Sequence, residues 1–264
     1  MFKTRLISGI VLVILALATI ICSGPVLLVT LIGVSCIGMQ ELYRAAGVHE
    51  GKTNGLEIAS YLEIVIYYLA VAYLPVSYHL PVVILGVLVM MSIFVFTYPK
   101  YQNKQIMTAF FGMVYVGVML SYIYQTRVLP GGAFLVWLIF LCSWGCDTCA
   151  YCVGMLIGRH KMAPILSPKK SVEGGVGGVA GAALLGAIYA AATGGRIAEY
   201  ALICAVGALI SMVGDLAASA IKRNQGIKDY GKLIPGHGGI LDRFDSVIFT
   251  APAIYFLAKL VLGI

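Results

Sequence analysis

The sequence predicts an all-α fold, a polytopic integral membrane helical bundle of about nine transmembrane helices. Of its 264 residues, 61% are hydrophobic and only 11% are charged, whereas soluble domains carry about 25% charged residues. The mean hydropathy is +0.97, and apolar runs of roughly 20 residues, the length that crosses a bilayer, recur along the chain. This composition excludes a soluble enzyme, a disordered chain and a nucleic-acid module, despite the net charge of +7.

Turn residues and charged clusters divide the chain into nine apolar segments. The predicted spans cover residues 6–22, 25–42, 56–74, 81–98, 106–124, 132–157, 172–193, 197–221 and 244–262. We group them into an N-terminal region, residues 1–130, with about five spans and short loops, and a C-terminal region, residues 131–264. The second region holds nearly all the polar groups that need a functional explanation, so we expect it to be catalytic.

The basic residues predict the orientation of these spans. With nine spans, 15 of the 18 lysines and arginines fall on the side of the N-terminus, and only Arg127, Arg196 and Lys259 fall on the other. An excess of this kind is typical of cytoplasmic loops. We therefore expect a multi-pass protein of the cytoplasmic membrane, with its N-terminus and the segment from Lys222 to Arg243 in the cytoplasm.

Asp215 lies inside the eighth predicted span. An ionised side chain at the bilayer centre costs roughly 2.5–3.5 kcal/mol on insertion scales, so intramembrane acids are functional candidates. Helical spacing places Ser211, Asp215, Ser219 and Lys222 in one stripe, which ends at the charged loop. The alternative is a buried polar seam between helices.

Asp147 makes a second stripe on the sixth span, together with Tyr151, Gly154 and Gly158. The glycines would let another backbone or a ligand approach closely. The alternative is a packing face that carries one hydrogen-bonded acid.

Four cysteines of the same span form a different stripe, which faces away from Asp147. Their spacing resembles that of a zinc or iron–sulfur site, but neither a second cysteine pair nor a histidine stands nearby in the sequence. Small apolar packing is the better interpretation, because a free cysteine is commonly buried. The four are Cys142, Cys146, Cys149 and Cys152.

Two further features concern the ends of helices. Ser167 and Pro168 look like the N-cap and first-turn proline of the seventh helix. Lys169 and Lys170 would then oppose the helix dipole and suit a bound anion, although ordinary cytoplasmic positive charge explains them equally well. Glu41, which ends the second span beside Arg44, is expected to form a surface ion pair.

The densest group of polar residues lies between Ser219 and Asp245. Its cations can hold phosphate charges, its glycines let backbone amides approach a ligand, and its carboxylates can bind Mg2+. Together they suit phosphoryl or nucleotidyl transfer, which needs charge neutralisation and positioning. The residues concerned are Lys222, Arg223, Lys228, Lys232, Arg243, Gly236, Gly238, Gly239, Asp229, Asp242 and Asp245.

As an ordered string, this segment resembles the signature of the phosphatidate cytidylyltransferases, also called CDP-diacylglycerol synthases. Residues 219–245 match the family's pattern S-x-hydrophobic-K-R-x4-K-D-x-G, then P-x-H-G-G, then D-R-hydrophobic-D at every fixed position. Three upstream blocks are also similar, and the resemblance extends over about residues 140–246. They are Asp147-Thr148-x-Ala150-Tyr151-x-x-Gly154, Ser167-Pro168-Lys169-Lys170-Ser171-x-Glu173-Gly174 and Ser211-x-x-Gly214-Asp215. Ser171 departs from the threonine that the family more often carries, but it keeps the hydroxyl.

The resemblance implies a membrane enzyme that converts CTP and phosphatidate into CDP-diacylglycerol and pyrophosphate. It implies Asp215 and Asp242 as metal ligands, Mg2+ as the cofactor with K+ sharing the site, and a homodimer, with no nucleic-acid partner. The predicted catalytic residues are Asp215, Lys222, Arg223, Lys228, Asp229, His237, Asp242, Arg243 and Asp245. The predicted substrate-binding residues are Asp147, Tyr151, Ser167, Lys169, Lys170, Glu173, Ser219, Gly238 and Gly239.

Two other functions compete with this interpretation. A CTP-dependent kinase of a polyprenol or phytol would use a similar membrane site but would transfer the γ-phosphate. An ion-coupled transporter would use Asp147 and Asp215 as midplane acids, and it would be favoured by internal symmetry between the halves, which the sequence does not show.

Overall fold

The computed structural model describes residues 2–49, 51–236 and 238–264. Over these ranges the chain forms nine helices and one short antiparallel hairpin. The helices are α1 (Phe2–Cys22), α2 (Gly24–Ala46), α3 (Gly55–Tyr73), α4 (His79–Phe96), α5 (Asn103–Val128), α6 (Gly132–Ile157), α7 (Val172–Thr193), α8 (Ile197–Asn224) and α9 (Leu241–Leu262). The hairpin consists of β1 (Lys161–Ala163) and β2 (Ser167–Ser171), and it connects α6 to α7.

The predicted fold class is confirmed, because the chain is a helical bundle with many apolar helices. Helices α2 to α9, in the described part of the chain, are long and apolar enough to cross a membrane; the span that contains α4 begins at Val76 with a short 3-10 turn. The remaining predicted span corresponds to α1, whose described apolar part covers residues 9–22. Large side chains such as Phe96, Leu156 and Leu260 are mostly exposed on these helices, as a lipid-facing surface requires.

The first backbone N–H groups of a helix have no acceptor within the helix, and residues at the starts of α2 and α3 solve this in two ways. Asn54 precedes α3, and its side chain accepts hydrogen bonds from the backbone N–H groups of Leu56 and Glu57 at 3.0 and 3.1 Å. Glu57 completes a capping box by accepting from the Asn54 backbone. Pro25 stands in the first turn of α2, where its lack of an N–H group costs nothing.

Two of the long helices contain a π-helical segment. In α5 the segment is Met113–Val118, and in α6 it is Leu141–Gly145. A π turn accommodates an extra residue and rotates the side chains that follow it, and such turns are common near functional sites. The segment in α6 ends two residues before Asp147, so it helps to set the direction in which that carboxylate points.

The chain folds into two compact units. The first comprises the chain up to Tyr124 together with Ile227–Arg243, and the second comprises Gln125–Gly226 with Phe244–Ile264. In the first unit, the buried Tyr43 hydroxyl donates a 2.7 Å hydrogen bond to the Ala109 carbonyl and joins α2 to α5. The charged loop predicted between Lys222 and Arg243 therefore belongs mainly to this first unit.

In the second unit, the cysteine stripe packs α6 against two neighbouring helices. A Cβ atom added to Gly207 of α8 would lie 2.7 Å from the Cys142 sulfur, and one added to Gly178 of α7 would lie 2.9 Å from the Cys146 sulfur. Both thiols are buried. The sulfurs therefore fill space that only glycine leaves open, which supports the interpretation of this stripe as apolar packing.

Candidate active site

The second unit contains a cavity of about 450 Å3, formed by α6, the hairpin, the first turn of α7 and the middle of α8. Most of its wall is apolar. Five of its charged or hydroxyl-bearing side chains belong to site residues predicted from the sequence, and Ser171 is a further one. The five are Asp147, Tyr151, Lys169, Lys170 and Asp215. Asp147, Tyr151 and Gly154 come from the stripe predicted on the sixth span, and from the stripe predicted on the eighth span it is Asp215 that lines the cavity.

Lys170 and Asp215 form the central ion pair of this cavity. The Lys170 ammonium, on β2, donates a hydrogen bond to Oδ2 of Asp215, on α8. The side chains are 26% and 21% exposed, so a molecule in the cavity can reach both. Burial lowers the pKa of Lys170, while the nearby carboxylates of Asp147 and Asp245 act in the opposite direction. The Lys170 ammonium can therefore change its ion-pair partner from the Asp215 carboxylate to a phosphate group that enters the cavity.

The hairpin that carries Lys170 is fixed by Glu173. The Glu173 carboxylate accepts hydrogen bonds from the backbone N–H groups of Arg159 and His160, at 3.0 and 3.2 Å, and contacts the His160 ring. This carboxylate, which was predicted to bind substrate, joins the start of α7 to the start of the hairpin. Its placement favours a role in positioning the lysines of β2.

The predicted N-cap of the seventh helix is wrong. The helix begins at Val172, and its cap is Ser171, whose side chain accepts a 3.1 Å hydrogen bond from Gly174 N–H. Ser167 and Pro168 instead begin β2, in which Ser167 pairs with Ala163. Lys169 and Lys170 are therefore strand residues beside the cavity, and they do not oppose the dipole from within the helix.

A second ion pair lies in the last turn of α8, where the predicted stripe of Ser211, Asp215, Ser219 and Lys222 ends. Lys222 contacts Asp245, in the first turns of α9, with 3.8 Å between Nζ and Oδ2. Both side chains are largely buried, at 11% and 14% exposed. Ser219, one turn before Lys222, is half-buried, and Arg223 is exposed. Of these four predicted site residues, Arg223 is the one most open to solvent.

In the first unit, Asp242 organises the loop that precedes α9. Its Oδ2 atom accepts hydrogen bonds from the backbone N–H groups of Tyr230 and Gly239, at 2.8 and 3.0 Å. The Asp242 side chain is buried. Gly238 has φ of +86°, a conformation that favours glycine, and its carbonyl accepts a 2.8 Å bond from Ile234. Asp242 therefore has a structural task besides any catalytic one.

Glu41, on α2, binds the end of this loop and the start of α9, which corrects the prediction of a surface pair with Arg44. Its carboxylate is 4% exposed and accepts hydrogen bonds from the backbone N–H groups of Ile240 and Leu241 at 3.0 and 2.8 Å. The rule that singled out Asp147 and Asp215, an acid inside an apolar span, applied equally to Glu41. The sequence therefore signals that Glu41 needs a partner, but no local spacing identifies Ile240 and Leu241 as that partner.

The other predicted residues fall into three groups. Lys228 and Asp229 are exposed on the loop of the first unit. Arg243, directly after Asp242, is half-buried. His237 lies outside the described residues.

Comparison with known proteins identifies the family. The sequence model of the cytidylyltransferase family matches residues 3–261 of the chain. A phosphatidate cytidylyltransferase of Staphylococcus epidermidis is 31% identical over 264 residues, which cover 97% of this chain and 98% of that protein. The chain belongs to the cytidylyltransferase family. The resemblance inferred from the sequence motifs is thereby confirmed.

Two other members of the family are more similar over shorter segments. The phosphatidate cytidylyltransferase of Staphylococcus saprophyticus is 40% identical over 147 residues, which cover 55% of this chain and 56% of that protein. The one of Synechocystis is 43% identical over 143 residues, covering 51% of this chain and 46% of that protein. In these two comparisons the chain thus spans about half the length of the relative.

Proposed function

We propose that this membrane protein transfers the cytidylyl group of CTP to phosphatidate, which yields CDP-diacylglycerol and pyrophosphate. Membership of the cytidylyltransferase family and the names of the relatives support this function over that of a kinase or a transporter. The observation that carries the proposal is the Lys170–Asp215 pair, which places exchangeable charge in a cavity walled by membrane-spanning helices. Such a cavity suits one water-soluble and one lipid substrate.

The reaction itself requires little acid or base chemistry from the protein. A phosphate oxygen of phosphatidate attacks the α-phosphorus of CTP, and the bond from that phosphorus to the β-phosphate oxygen breaks to release pyrophosphate. The attacking oxygen is already anionic, so no strong base is needed. The protein must bring two anions together and stabilise the charge that develops on the leaving group.

The lysines of β2 and the cations near α8 have this task in the proposal. Lys169 and Lys170 line the cavity, where they can hold phosphate oxygens. When a phosphate binds Lys170, the Asp215 carboxylate loses its present partner and becomes available to another cation. Lys222, Arg223, Lys228 and Arg243 are proposed to hold further phosphate charges, and His237 to donate a hydrogen bond or move a proton.

The donor chemistry of the cavity fits Mg2+. Asp147 and Asp215 offer carboxylate oxygens. The described residues contain no group of three or more His, Cys, Asp or Glu side chains that could hold a metal ion, but Mg2+ does not require one. Mg2+ is commonly held by one or two carboxylates and completes its shell with water and substrate phosphates. We propose that Asp215 binds Mg2+, with Asp242 as a further ligand and K+ nearby, as the family resemblance implies. Bound Mg2+ would neutralise phosphate charge.

The location and assembly of the protein remain proposals of the same kind. The charge asymmetry of the loops supports the cytoplasmic membrane, with the charged segment on the cytoplasmic side. The family resemblance implies a homodimer. Neither feature is needed for the chemistry proposed for the cavity.

One assay tests the function. Purified protein in detergent is incubated with Mg2+, with either phosphatidate or an isoprenoid alcohol, and with CTP labelled in the α- or the γ-phosphate. We expect α-label in the lipid product and γ-label in pyrophosphate. Transfer of γ-label to an isoprenoid alcohol, with release of CDP, would instead identify a kinase, and absence of any labelled lipid from either substrate would contradict both enzymes.

A further inference from the structure

We infer that the apolar groove along α7 and α8 binds one acyl chain of the lipid substrate, an inference that rests on the proposed function. The groove has a volume of about 440 Å3, and its wall is almost wholly apolar. Val179 and Ala183 of α7 and Leu209 of α8 are among its lining residues. Nothing in the proposed chemistry of the phosphates uses this surface.

The groove borders the charged cavity. Met162, Gly175 and Met212 line both of them. A Cβ atom added to Gly175 would lie 2.8 Å from Cε of Met162 and 3.4 Å from the sulfur of Met212. The two methionines thus lie over a glycine at the junction, and because their side chains are flexible, the junction can widen without movement of the helices. A phosphate and an apolar tail of one molecule can occupy the two spaces together.

The direction and length of the groove also fit a lipid. It begins at Val172, next to the lysines of β2, and reaches Ala183 eleven residues later. At 1.5 Å per residue this distance is about 16 Å, close to half of the roughly 30 Å hydrocarbon thickness of a bilayer. A lipid whose phosphate lies at Lys169 and Lys170 would therefore lay its chain along one leaflet.

The groove should select by shape more than by hydrophobicity. Surrounding lipid is as apolar as the groove, so transferring a chain into it yields little hydrophobic free energy. Contact along a fixed surface can still discriminate between chain lengths, because one methylene in a fitted pocket changes relative rates by about tenfold or more. A side chain that fills the far end should thus affect long chains more than short ones.

The experiment uses Ala183→Phe, which fills the far end of the groove. The matched control is Leu184→Phe, the next residue of α7, which is 61% exposed and does not line the groove. Dipalmitoyl and dioctanoyl phosphatidate are compared in mixed micelles at equal surface fractions, with the KM for CTP as an internal reference. We expect Ala183→Phe to raise the ratio of the dipalmitoyl KM to the dioctanoyl KM by about fivefold, and Leu184→Phe to leave that ratio at the wild-type value.

Three results would overturn the inference. They are an unchanged ratio in Ala183→Phe, an equal loss of activity with both lipids, or the same change of ratio in Leu184→Phe. A change of oligomeric mass in Ala183→Phe without a change of ratio would assign the groove to contact with a second copy of the chain. Failure of the wild-type protein to form a CDP-lipid from either phosphatidate would refute the proposed function itself and is a separate result.

Discussion

Glu41 accepts a 2.8 Å hydrogen bond from the backbone N–H of Leu241, the first residue of α9 and 200 positions further along the chain. Its second oxygen accepts from Ile240. Gly231 and Gly239 lie so close to this carboxylate that a Cβ atom on either would overlap it. A negative charge at the start of a helix also interacts favourably with the helix dipole. The side chain of Glu41 therefore shapes the loop that leads into α9, whose second residue is Asp242.

We predict that Glu41→Gln impairs turnover more than it impairs folding. Glutamine keeps one acceptor oxygen but turns an amide N–H2 towards the second backbone N–H, which is then left buried without an acceptor. Such a loss costs roughly 1–3 kcal/mol, which is enough to displace the loop. We expect kcat to fall by about tenfold or more, with a smaller change in the KM for CTP.

The matched control is Glu57→Gln. Glu57 is another buried carboxylate of the first unit, and it binds the His49 ring and the Asn54 backbone. Its loss should lower the midpoint of thermal unfolding to a similar degree while leaving kcat near the wild-type value. Equal losses of kcat in the two variants would show that general stability, and not loop position, explains the effect of Glu41.

Local rules were sufficient to predict the helical fold, but not the hairpin. The apolar spans have clear boundaries, and helical spacing predicts the shared face of Asp147 and Tyr151, which does line the cavity, as Asp215 does. The sequence predicts only a connection between two spans for the segment from Gly158 to Lys170. Its strands are only three and five residues long, too short to show an alternating pattern, and Glu173 binds the backbone of Arg159 and His160, directly before β1.

Partners distant in sequence account for the remaining errors. The contact between Glu41 and Leu241 depends on how α2 packs beside the loop, which no local spacing reveals. The apolar groove was similarly invisible, because Val179 and Ala183 look like ordinary lipid-facing residues until Leu209 of α8 is placed beside them. Sequence patterns identify which face of a helix is polar; they do not identify which other segment that face meets.

Lys170 should matter far more than another lysine of the same hairpin. Lys170→Ala removes the ammonium that contacts Asp215, and we expect kcat/KM to fall by about 100-fold, in line with the strength of charge-assisted bonds to phosphate. Lys161→Ala changes an exposed residue of β1 and should stay within about twofold of wild type, as surface charges usually do. Steady-state kinetics with both substrates varied would measure the difference.

The Lys170 variant also leaves Asp215 without its partner, which can destabilise the protein. A Lys170→Ala/Asp215→Asn double variant separates the two effects, because it removes the unpaired charge. We expect the double variant to unfold at a higher temperature than Lys170→Ala and to remain inactive. Recovery of activity together with stability would show that Lys170 serves folding and not substrate binding.

Asp215 and Asp242 should act as one unit if they bind the same cation. Asp215→Asn and Asp242→Asn are each expected to reduce kcat by about 1,000-fold or more, and the double variant should be little worse, since residues that act together give non-additive losses. Asparagine is the right replacement at Asp242, because its carbonyl oxygen can still accept the bonds from Tyr230 and Gly239. Losses that multiply in the double variant would indicate independent roles.

Mg2+ titration of the same variants provides a second measurement. A lost carboxylate ligand should raise the Mg2+ concentration that gives half-maximal activity, whereas a lost phosphate contact should leave it unchanged. Asp147→Asn is the informative comparison, because Asp147 shares the cavity with Asp215. A larger shift in Asp147→Asn than in Asp242→Asn would make Asp147 the partner of Asp215 at the metal.

The orientation of the chain is testable with single cysteines. The loop that contains Lys232 should lie in the cytoplasm, and the connection between α7 and α8 should lie on the opposite side, because the asymmetry of basic residues favours that arrangement. The starting protein carries Cys22→Ala and Cys152→Ala, since these two native thiols are exposed. Lys232→Cys and Ala198→Cys are then introduced separately, both at exposed positions.

A membrane-impermeant thiol reagent distinguishes the two sites. It should label Ala198→Cys in intact cells and label Lys232→Cys only after lysis. The pair controls for reactivity, because each site must react in at least one of the two conditions. Labelling of Lys232→Cys in intact cells, with protection of Ala198→Cys, would place the charged loop outside. Cytoplasmic CTP could not then reach Lys228 and Arg243, so the phosphate-binding role proposed for these residues would have to be abandoned together with the topology.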